Sequence, residues 1–226
     1  PQQYMVQPSS TRTVALNLKT GVERVAYING AGDNVAESIE AVGVNVEKFD
    51  SEDITLEKLN SFDAVILGIR AFNVHESLSY KKNVLWKYAH QGGNLLIQYN
   101  TSRGLKTRTI TPYSIELSRD RITDENSKVK MLDIKHPLLN YPNKISLEDF
   151  EGWVQERGLY FPKQWDKNFS PLFEMSDPGE QPKRGALLVA NYGEGKVVYT
   201  GLSFFRQLPA GVPGAYRLFF NLIANK

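Results

Sequence analysis

Cysteine is absent from the 226 residues of this sequence. This absence excludes disulfides, thiolate metal ligands and thiol nucleophiles together. Histidine is also scarce: His75, His90 and His136 are the three in the sequence, and they form no HExxH or HxxH pattern. Because zinc sites usually show such spacings, we predict no metal site and no cofactor.

Long apolar runs and a dominant charge are also missing. No run approaches the roughly 20 apolar residues that span a bilayer, so we predict no membrane span. The 27 basic and 25 acidic residues are interspersed and leave a formal charge of +2, which argues against nucleic acid as a partner. A hydrophobic share of 41% is instead typical of a globular protein with a buried core.

Strands and helices alternate through the first hundred residues. Short apolar segments typical of buried parallel strands occur at about 24–28, 44–49, 63–69 and 94–99. Helices are predicted between them at about 34–42, 56–59 and 80–90. Strand–helix–strand units at this spacing form right-handed crossovers, so the sequence predicts an α/β fold with a mainly parallel sheet.

The other segments are less regular. We interpret residues 1–20 as a linker or entry segment with one short edge strand at about 13–18, and residues 21–226 as a single α/β domain. The middle of the chain, about 101–183, is rich in proline, aspartate and aromatic residues and is predicted to be irregular. Regular structure then returns as a hairpin of strands at 185–191 and 196–200 and a closing helix at about 214–224.

The peptide Gly30-Ala31-Gly32 follows the first predicted strand and offers a weak indication of nucleotide binding. Asp50, at the end of the second strand, lies roughly where a ribose ligand would be in such a site. A lone GxG pattern more often tightens a turn, and Asp33 would then cap the helix that follows. Nucleotide binding is therefore kept as a weaker alternative.

Carboxylates and aromatic residues are concentrated at residues 146–162. Carbohydrate sites combine acceptors for hydroxyl groups with a flat apolar ring, so this segment predicts a sugar-binding wall beside a polar crevice. Its carboxylates could also perform acid–base hydrolysis, or the segment could be a solvated surface loop. Any of its charges that are buried should pair with Arg119, Arg121 or Arg206. The binding candidates in this segment are Glu148, Asp149, Glu151, Trp153 and Arg157.

Polar residues also follow several of the predicted strands. The carboxyl ends of parallel strands are where doubly wound sheets place ligands. Together these residues would outline one crevice, although each alone is more often a partner in an ion pair. The candidates are Arg70, Asn73, Gln98, Asn100, Arg119, Asp120, Arg121, Arg206 and Gln207.

Several longer segments carry a family resemblance. They are GAGDNVAESIEAVG, LGIRAFN, QGGNLLIQYNT, LSRDRITDE, DFEGWVQERGLYFP and NYGEGKVVYTGLSFFRQLPAGVPGAYRLFFNLIA. Over about residues 22–226 the sequence resembles the C-terminal region of large bacterial PIG-L/LmbE-like deacetylases. That region in turn resembles the class I glutamine amidotransferase-like fold, ThuA-type proteins included. The resemblance implies a flavodoxin-like three-layer sandwich with a mainly parallel sheet.

The catalytic residues of both families are missing here. The deacetylase chemistry of the family uses an HPDD-type motif and a later HxxH in a separate N-terminal domain, and neither motif occurs in this chain. The amidotransferase cysteine would fall near residues 98–100, where Gln98, Tyr99 and Asn100 stand. Its histidine and glutamate would fall around 203–207, where neither residue type occurs.

The resemblance therefore implies an accessory domain without catalytic activity. Its implied work is ligand or glycan binding, or support of an N-terminal deacetylase domain in the same parent chain. A start at Pro1 fits a piece of a longer polypeptide. The lack of cysteine and the resemblance together favour an extracytoplasmic location, periplasmic or secreted. The alternative from the residues themselves is an independent hydrolase that uses carboxylates of the 148–156 loop.

Overall fold

The structure, a computed structural model, describes residues 13–224. The strands in chain order are β1 (Arg24–Ile28), β2 (Asn45–Phe49), β3 (Ala64–Leu67), β4 (Asn94–Ile97), β5 (Ile115–Ile122), β6 (Val129–Met131), β7 (Gly158–Trp165), β8 (Ser170–Pro171), β9 (Phe173–Met175), β10 (Leu187–Tyr192) and β11 (Gly195–Thr200). The α-helices are α1 (Val35–Glu40), α2 (Leu56–Leu59), α3 (Ala71–Val74), α4 (Leu78–His90), α5 (Phe204–Gln207) and α6 (Pro213–Ile223). Two 3₁₀ turns occupy Pro137–Leu139 and Leu147–Phe150.

A seven-stranded sheet organises the molecule, in the order β2-β1-β3-β4-β11-β10-β8. The first five strands of this order are parallel, whereas β10 pairs antiparallel with both β11 and β8. The four predicted early strands and their parallel arrangement are therefore confirmed. The predicted hairpin is also confirmed, as β10 and β11.

Helices cover both faces of the sheet, which explains why its central strands are apolar on both sides. Along β1, Val25 and Tyr27 belong to one core, and Ala26 and Ile28 belong to the other. Helices α1 and α6 pack into the first core, and α2, α3 and α4 pack into the second. The result is the three-layer sandwich that the family resemblance implies. No helix within residues 13–224 is long and apolar enough to cross a membrane.

Two sequence predictions about regularity were wrong. Residues 13–18 form no strand, while the other part of the predicted linker, residues 1–12, lies outside the described residues. The middle of the chain is more regular than predicted, because β5 pairs with β7 and β6 pairs with β9, both antiparallel. Charged residues in β5 and Pro162 in β7 hide this pairing in the sequence, and it is interrupted by register shifts where Leu117 faces Pro162.

The turns after β1 and β3 touch one another at the carboxyl edge of the sheet. Ala31 N donates a hydrogen bond to Ile69 O at 2.8 Å. A Cβ at Gly30 would lie 2.1 Å from Ile69 O, so only glycine fits there. This close approach gives the Gly30-Ala31-Gly32 peptide a packing role at the edge where the candidate site lies.

Candidate functional site at the carboxyl edge of the sheet

Three aromatic rings meet where β4, β7 and β11 reach this edge. Tyr99 follows β4 and lies parallel to Tyr160 of β7, with ring centroids 6.1 Å apart and an interplanar angle of 7°. The Phe205 ring of α5 lies 5.3 Å from that of Tyr99. Tyr99 is buried, whereas Tyr160 and Phe205 are half-buried. We call these three residues the aromatic cluster. It packs against Ile69 and Leu159 and presents part of two rings to solvent.

Arginines surround the aromatic cluster. The guanidinium of Arg206 lies 4.8 Å from the centroid of the Phe205 ring, within the range of a cation–π contact. Arg70 is exposed, and its backbone N donates to Tyr99 O at 2.7 Å. Burial raises the pKa of Tyr99, and the positive charges of Arg70 and Arg206 oppose that rise. Arg206 therefore supplies hydrogen-bond donors beside the aromatic cluster, and the charge of Arg70 is near enough to act on Tyr99.

A buried carboxylate anchors two of the arginines. Glu156 is 3% exposed, and its Oε2 lies 2.6 Å from Arg121 Nη2. Its Oε1 lies 3.5 Å from Arg206 Nε, while Arg206 Nη1 donates to Gln155 Oε1. The hydrogen bond from Arg121 to Glu156 is also the main reason that the pKa of Arg121 is raised. Glu156 thus fixes the direction of both guanidinium groups.

Backbone strain is concentrated at the same edge. Within residues 13–224, the non-glycine residues with positive φ are Arg70 (57°), Gln155 (64°) and Tyr160 (53°). Such conformations are uncommon for residues with a Cβ, and they collect at functional sites because surrounding contacts must hold them in place. All three belong to or contact the aromatic cluster or its arginines. None lies in the 98–100 turn, where a nucleophile elbow would carry its strained residue.

The amide candidates at this edge hold the fold together. Gln98 Nε2 donates to the Tyr27 hydroxyl at 3.1 Å, and Asn100 Oδ1 accepts from Phe72 N at 3.0 Å. Asn73 makes three hydrogen bonds to the backbone of residues 101–103. Gln207 is buried and bonds to the backbone of Val154 and Glu156. These amides position the edge, and a ligand would have to displace existing bonds to reach them.

Asp33 also lies at the carboxyl edge, although the sequence did not predict it as a site residue. Its Oδ1 accepts from the Tyr27 hydroxyl at 2.6 Å and from Val35 N at 3.0 Å, and its Oδ2 accepts from Ile69 N at 3.2 Å. Burial first, and the Asp33 carboxylate second, raise the pKa of Tyr27 well above its ordinary value. The neutral hydroxyl therefore links the turn after β1 to Gln98. The N-cap position of α1 is Asn34 and not Asp33 as predicted, although Asp33 does accept a hydrogen bond from the first residue of the helix.

The prediction that Trp153 forms a sugar platform on a crevice wall was wrong. Trp153 is 4% exposed, its Nε1 donates to Asp149 O at 2.9 Å, and its ring stacks on Phe150 at 5.5 Å. The buried guanidinium of Arg157 lies 5.6 Å from the same ring and bonds to the carbonyls of Ser127 and Phe150. Burial lowers the pKa of Arg157 to about 10. Both side chains belong to the core.

Three of the acidic candidates lie together, at a cleft that contains no residue of the aromatic cluster. Asp149 Oδ1 lies 2.8 Å from Arg217 Nε, so its partner is none of the three predicted arginines. Glu148 and Glu151 are exposed, and together with Asp149 and Arg217 they border a separate cleft of about 390 Å³ beside the start of α6. On β5, Arg119 is exposed and Asp120 is half-buried, with Asp120 N bonded to Ser118 Oγ. In the part of the chain that the structure describes, no cluster of histidine and carboxylate groups could hold a metal ion.

Comparison with known proteins identifies the fold. No family model and no curated protein matches the sequence. A ThuA-like protein of Bacteroides uniformis matches with a TM-score of 0.55 and 11% identity over 96% of each chain. A GMP synthase-like protein of Thermoplasma acidophilum matches with a TM-score of 0.55 and 11% identity, over 90% of this chain and 94% of its own.

A further match is part of a larger enzyme. The cold-adapted β-galactosidase of Rahnella sp. R3 has a TM-score of 0.54 and 16% identity, over 88% of this chain and 30% of its own. At these identities the matches concern the fold alone. They show that the chain has the class I glutamine amidotransferase-like, ThuA-like fold that its sequence resembles.

Proposed function

We propose that this chain is a non-catalytic binding domain that recognises a carbohydrate at the carboxyl edge and serves a larger carbohydrate-type deacetylase. The observation that carries the proposal is the aromatic cluster framed by Arg70 and Arg206. Half-buried rings suit the apolar face of a sugar, and guanidinium groups donate hydrogen bonds to hydroxyl or acidic oxygens. The strained backbone at Arg70 and Tyr160 supports a role for this edge beyond packing.

The residue types at this edge favour binding over catalysis. The 98–100 turn contains no thiol, and its one hydroxyl group belongs to Tyr99, which is covered by Tyr160 and Phe205. The side-chain amides of Gln98 and Asn100 are engaged in internal hydrogen bonds. Two carboxylates of the hydrolase alternative are already engaged in ion pairs, Asp149 with Arg217 and Glu156 with Arg121 and Arg206.

The deacetylase context rests on the sequence resemblance. It is supported by the match to a β-galactosidase, in which a region of this fold is about a third of a longer carbohydrate enzyme. In the parent chain, we expect the domain to increase turnover of a polymeric acetylated glycan and to leave turnover of a monomeric substrate unchanged.

Phe205 and Arg206 provide the direct test. A glycan array followed by calorimetry should identify a sugar ligand, and Phe205→Ala and Arg206→Ala should each weaken its binding by roughly 1–3 kcal/mol because a stacked ring or a donor is lost. Tyr80→Ala is the matched control, since Tyr80 is an aromatic residue on α4 that is 60% exposed.

Two results would contradict the proposal. The first is a sugar that binds the Phe205→Ala and Arg206→Ala variants as tightly as it binds the wild type. The second is glutaminase or esterase turnover by the chain that disappears when a single serine or threonine is changed, which would make the chain an enzyme.

A further inference from the structure

A second cleft lies at the amino edge of the same sheet, opposite the aromatic cluster. It has a volume of about 600 Å³ and lies where β4 and β11 begin. The backbone of Gly93 and Gly195 borders it on the sheet side, and Leu138, Tyr141 and Val189 provide apolar walls. Its size is in the range of small-molecule sites.

Lys196 brings a cation into this cleft. Its Nζ donates to Ala224 O at 2.8 Å, and within residues 13–224 it makes no ion pair. An ammonium has three donor hydrogens, so two remain for another acceptor. Burial lowers the pKa of Lys196 to about 8. A partly desolvated cation of this kind gains much from a bound anion.

His136 adds a second, uncharged donor beside Lys196. Its Nδ1 accepts a hydrogen bond from Leu138 N at 3.2 Å, which assigns the ring proton to Nε2. Burial lowers the pKa of His136; Asp133 opposes this shift and the charge of Lys196 adds to it. Burial and the charge of Lys196 both favour the neutral form of the ring, which lies close enough to Lys196 to sense that charge. The cleft presents one positive charge and two kinds of donor.

We propose that this cleft binds a small monocarboxylate with an apolar body. The carboxylate accepts from Lys196 Nζ and His136 Nε2, and the body packs against Leu138, Tyr141 and Val189. A single ammonium matches a single negative charge. The exposed Glu194 at the rim disfavours a dianion such as phosphate.

Benzoate, benzyl alcohol and inorganic phosphate test the charge and the shape of the ligand. Each is titrated at pH 7 into the isotope-labelled chain while amide NMR resonances are recorded. We expect benzoate to shift the resonances of Gly93, Leu138 and Gly195 saturably. Benzyl alcohol, which has the ring without the charge, should bind at least tenfold more weakly, and phosphate should give no saturable shift. Equal binding of benzoate and phosphate, or benzoate shifts confined to other regions, would overturn the proposal.

Lys196→Met tests the cation and keeps the aliphatic stem. We expect it to weaken benzoate binding at least tenfold. Lys135→Met is the matched control, because it removes the same charge from an exposed residue next to His136, and it should bind as the wild type does. Benzoate binding by Lys196→Met at wild-type affinity would refute the site. If this variant does not fold, the localisation of benzoate shifts in the wild type decides the question.

Discussion

At the scale of single residues, Glu156 determines the charge arrangement of the carboxyl edge. It is almost fully buried and is shared between Arg121, whose side chain is 53% exposed, and Arg206, whose side chain is 31% exposed. A buried carboxylate is stable only when its charge is matched, and here the two arginines match it. Loss of its charge would release both guanidinium groups at once.

We predict that Glu156→Gln lowers the free energy of unfolding by roughly 1–3 kcal/mol. The effect should be below that for a fully buried pair because Arg121 is half exposed. Glu116→Gln is the control, since Glu116 pairs with Lys163 on the surface at 2.6 Å and should change stability by less than about 0.5 kcal/mol. Urea unfolding of the two variants makes the comparison, and equal losses would show that Glu156 acts as a surface charge.

The sequence predicted the arginines of the site but not its rings. Arg70 and Arg206 follow strands, and the carboxyl ends of parallel strands share one edge, so their positions could be expected. Tyr99 and Tyr160 are about 60 residues apart in the chain, and nothing local indicates that they stack. The opposite error concerns Trp153. The sequence around it is typical of sugar sites, so we predicted an exposed ring, but the ring is buried in the core.

At the scale of elements, the two turns after β1 and β3 hold the edge together through backbone contact. Gly30 packs on Ile69 O, and Asp33 bonds to Ile69 N from the same side. The parallel strands that lead into these turns were predictable because their apolar runs are continuous. The β5–β7 pairing was not predictable, since proline and charged residues are poor indicators of a strand.

Substitutions at the two glycines of the first turn separate packing from backbone strain. Gly30→Ala should lower the free energy of unfolding by about 3 kcal/mol, because its Cβ would collide with a backbone carbonyl that cannot move aside. Gly32 has a φ of +101°, and a Cβ added there would meet no atom within 4 Å, so Gly32→Ala should cost about 1 kcal/mol through strain alone. Chemical denaturation gives both values, and a Gly30→Ala loss no larger than that of Gly32→Ala would contradict the packing role.

At the scale of the whole molecule, the parallel sheet separates two chemically different edges. The carboxyl edge carries the aromatic cluster and its arginines, and the amino edge carries the cleft that Lys196, His136 and Glu194 border. The charge on Lys196 is disfavoured in the folded state, since burial lowers its pKa from 10.5 to about 8. The unfolded chain therefore binds more protons than the folded chain between these two values.

Stability should accordingly rise with pH above about 8, because the unfavourable buried charge is removed as Lys196 loses its proton. We expect a gain of roughly 1 kcal/mol between about pH 7.5 and 9.0, a range in which the tyrosines of the unfolded chain, with a pKa of about 10, are still mostly protonated. Lys196→Met should be more stable than the wild type at the lower end of this range, and its stability should no longer rise with pH. Lys135→Met should keep the pH dependence of the wild type. Thermal unfolding across the range measures the slope, and an unchanged slope in Lys196→Met would rule out Lys196 as its source.

The neighbours β4 and β11 are separated by 97 intervening residues, from 98 to 194, although they pair side by side in the centre of the sheet. During synthesis, the ribosome needs about 5–20 s to add that much chain at roughly 5–20 residues per second. For that time one side of β4 has unpaired backbone groups, which is the situation in which sheets recruit foreign strands. The nascent chain is therefore at risk of aggregation for a defined interval, which ends only when β11 leaves the ribosome and pairs with β4.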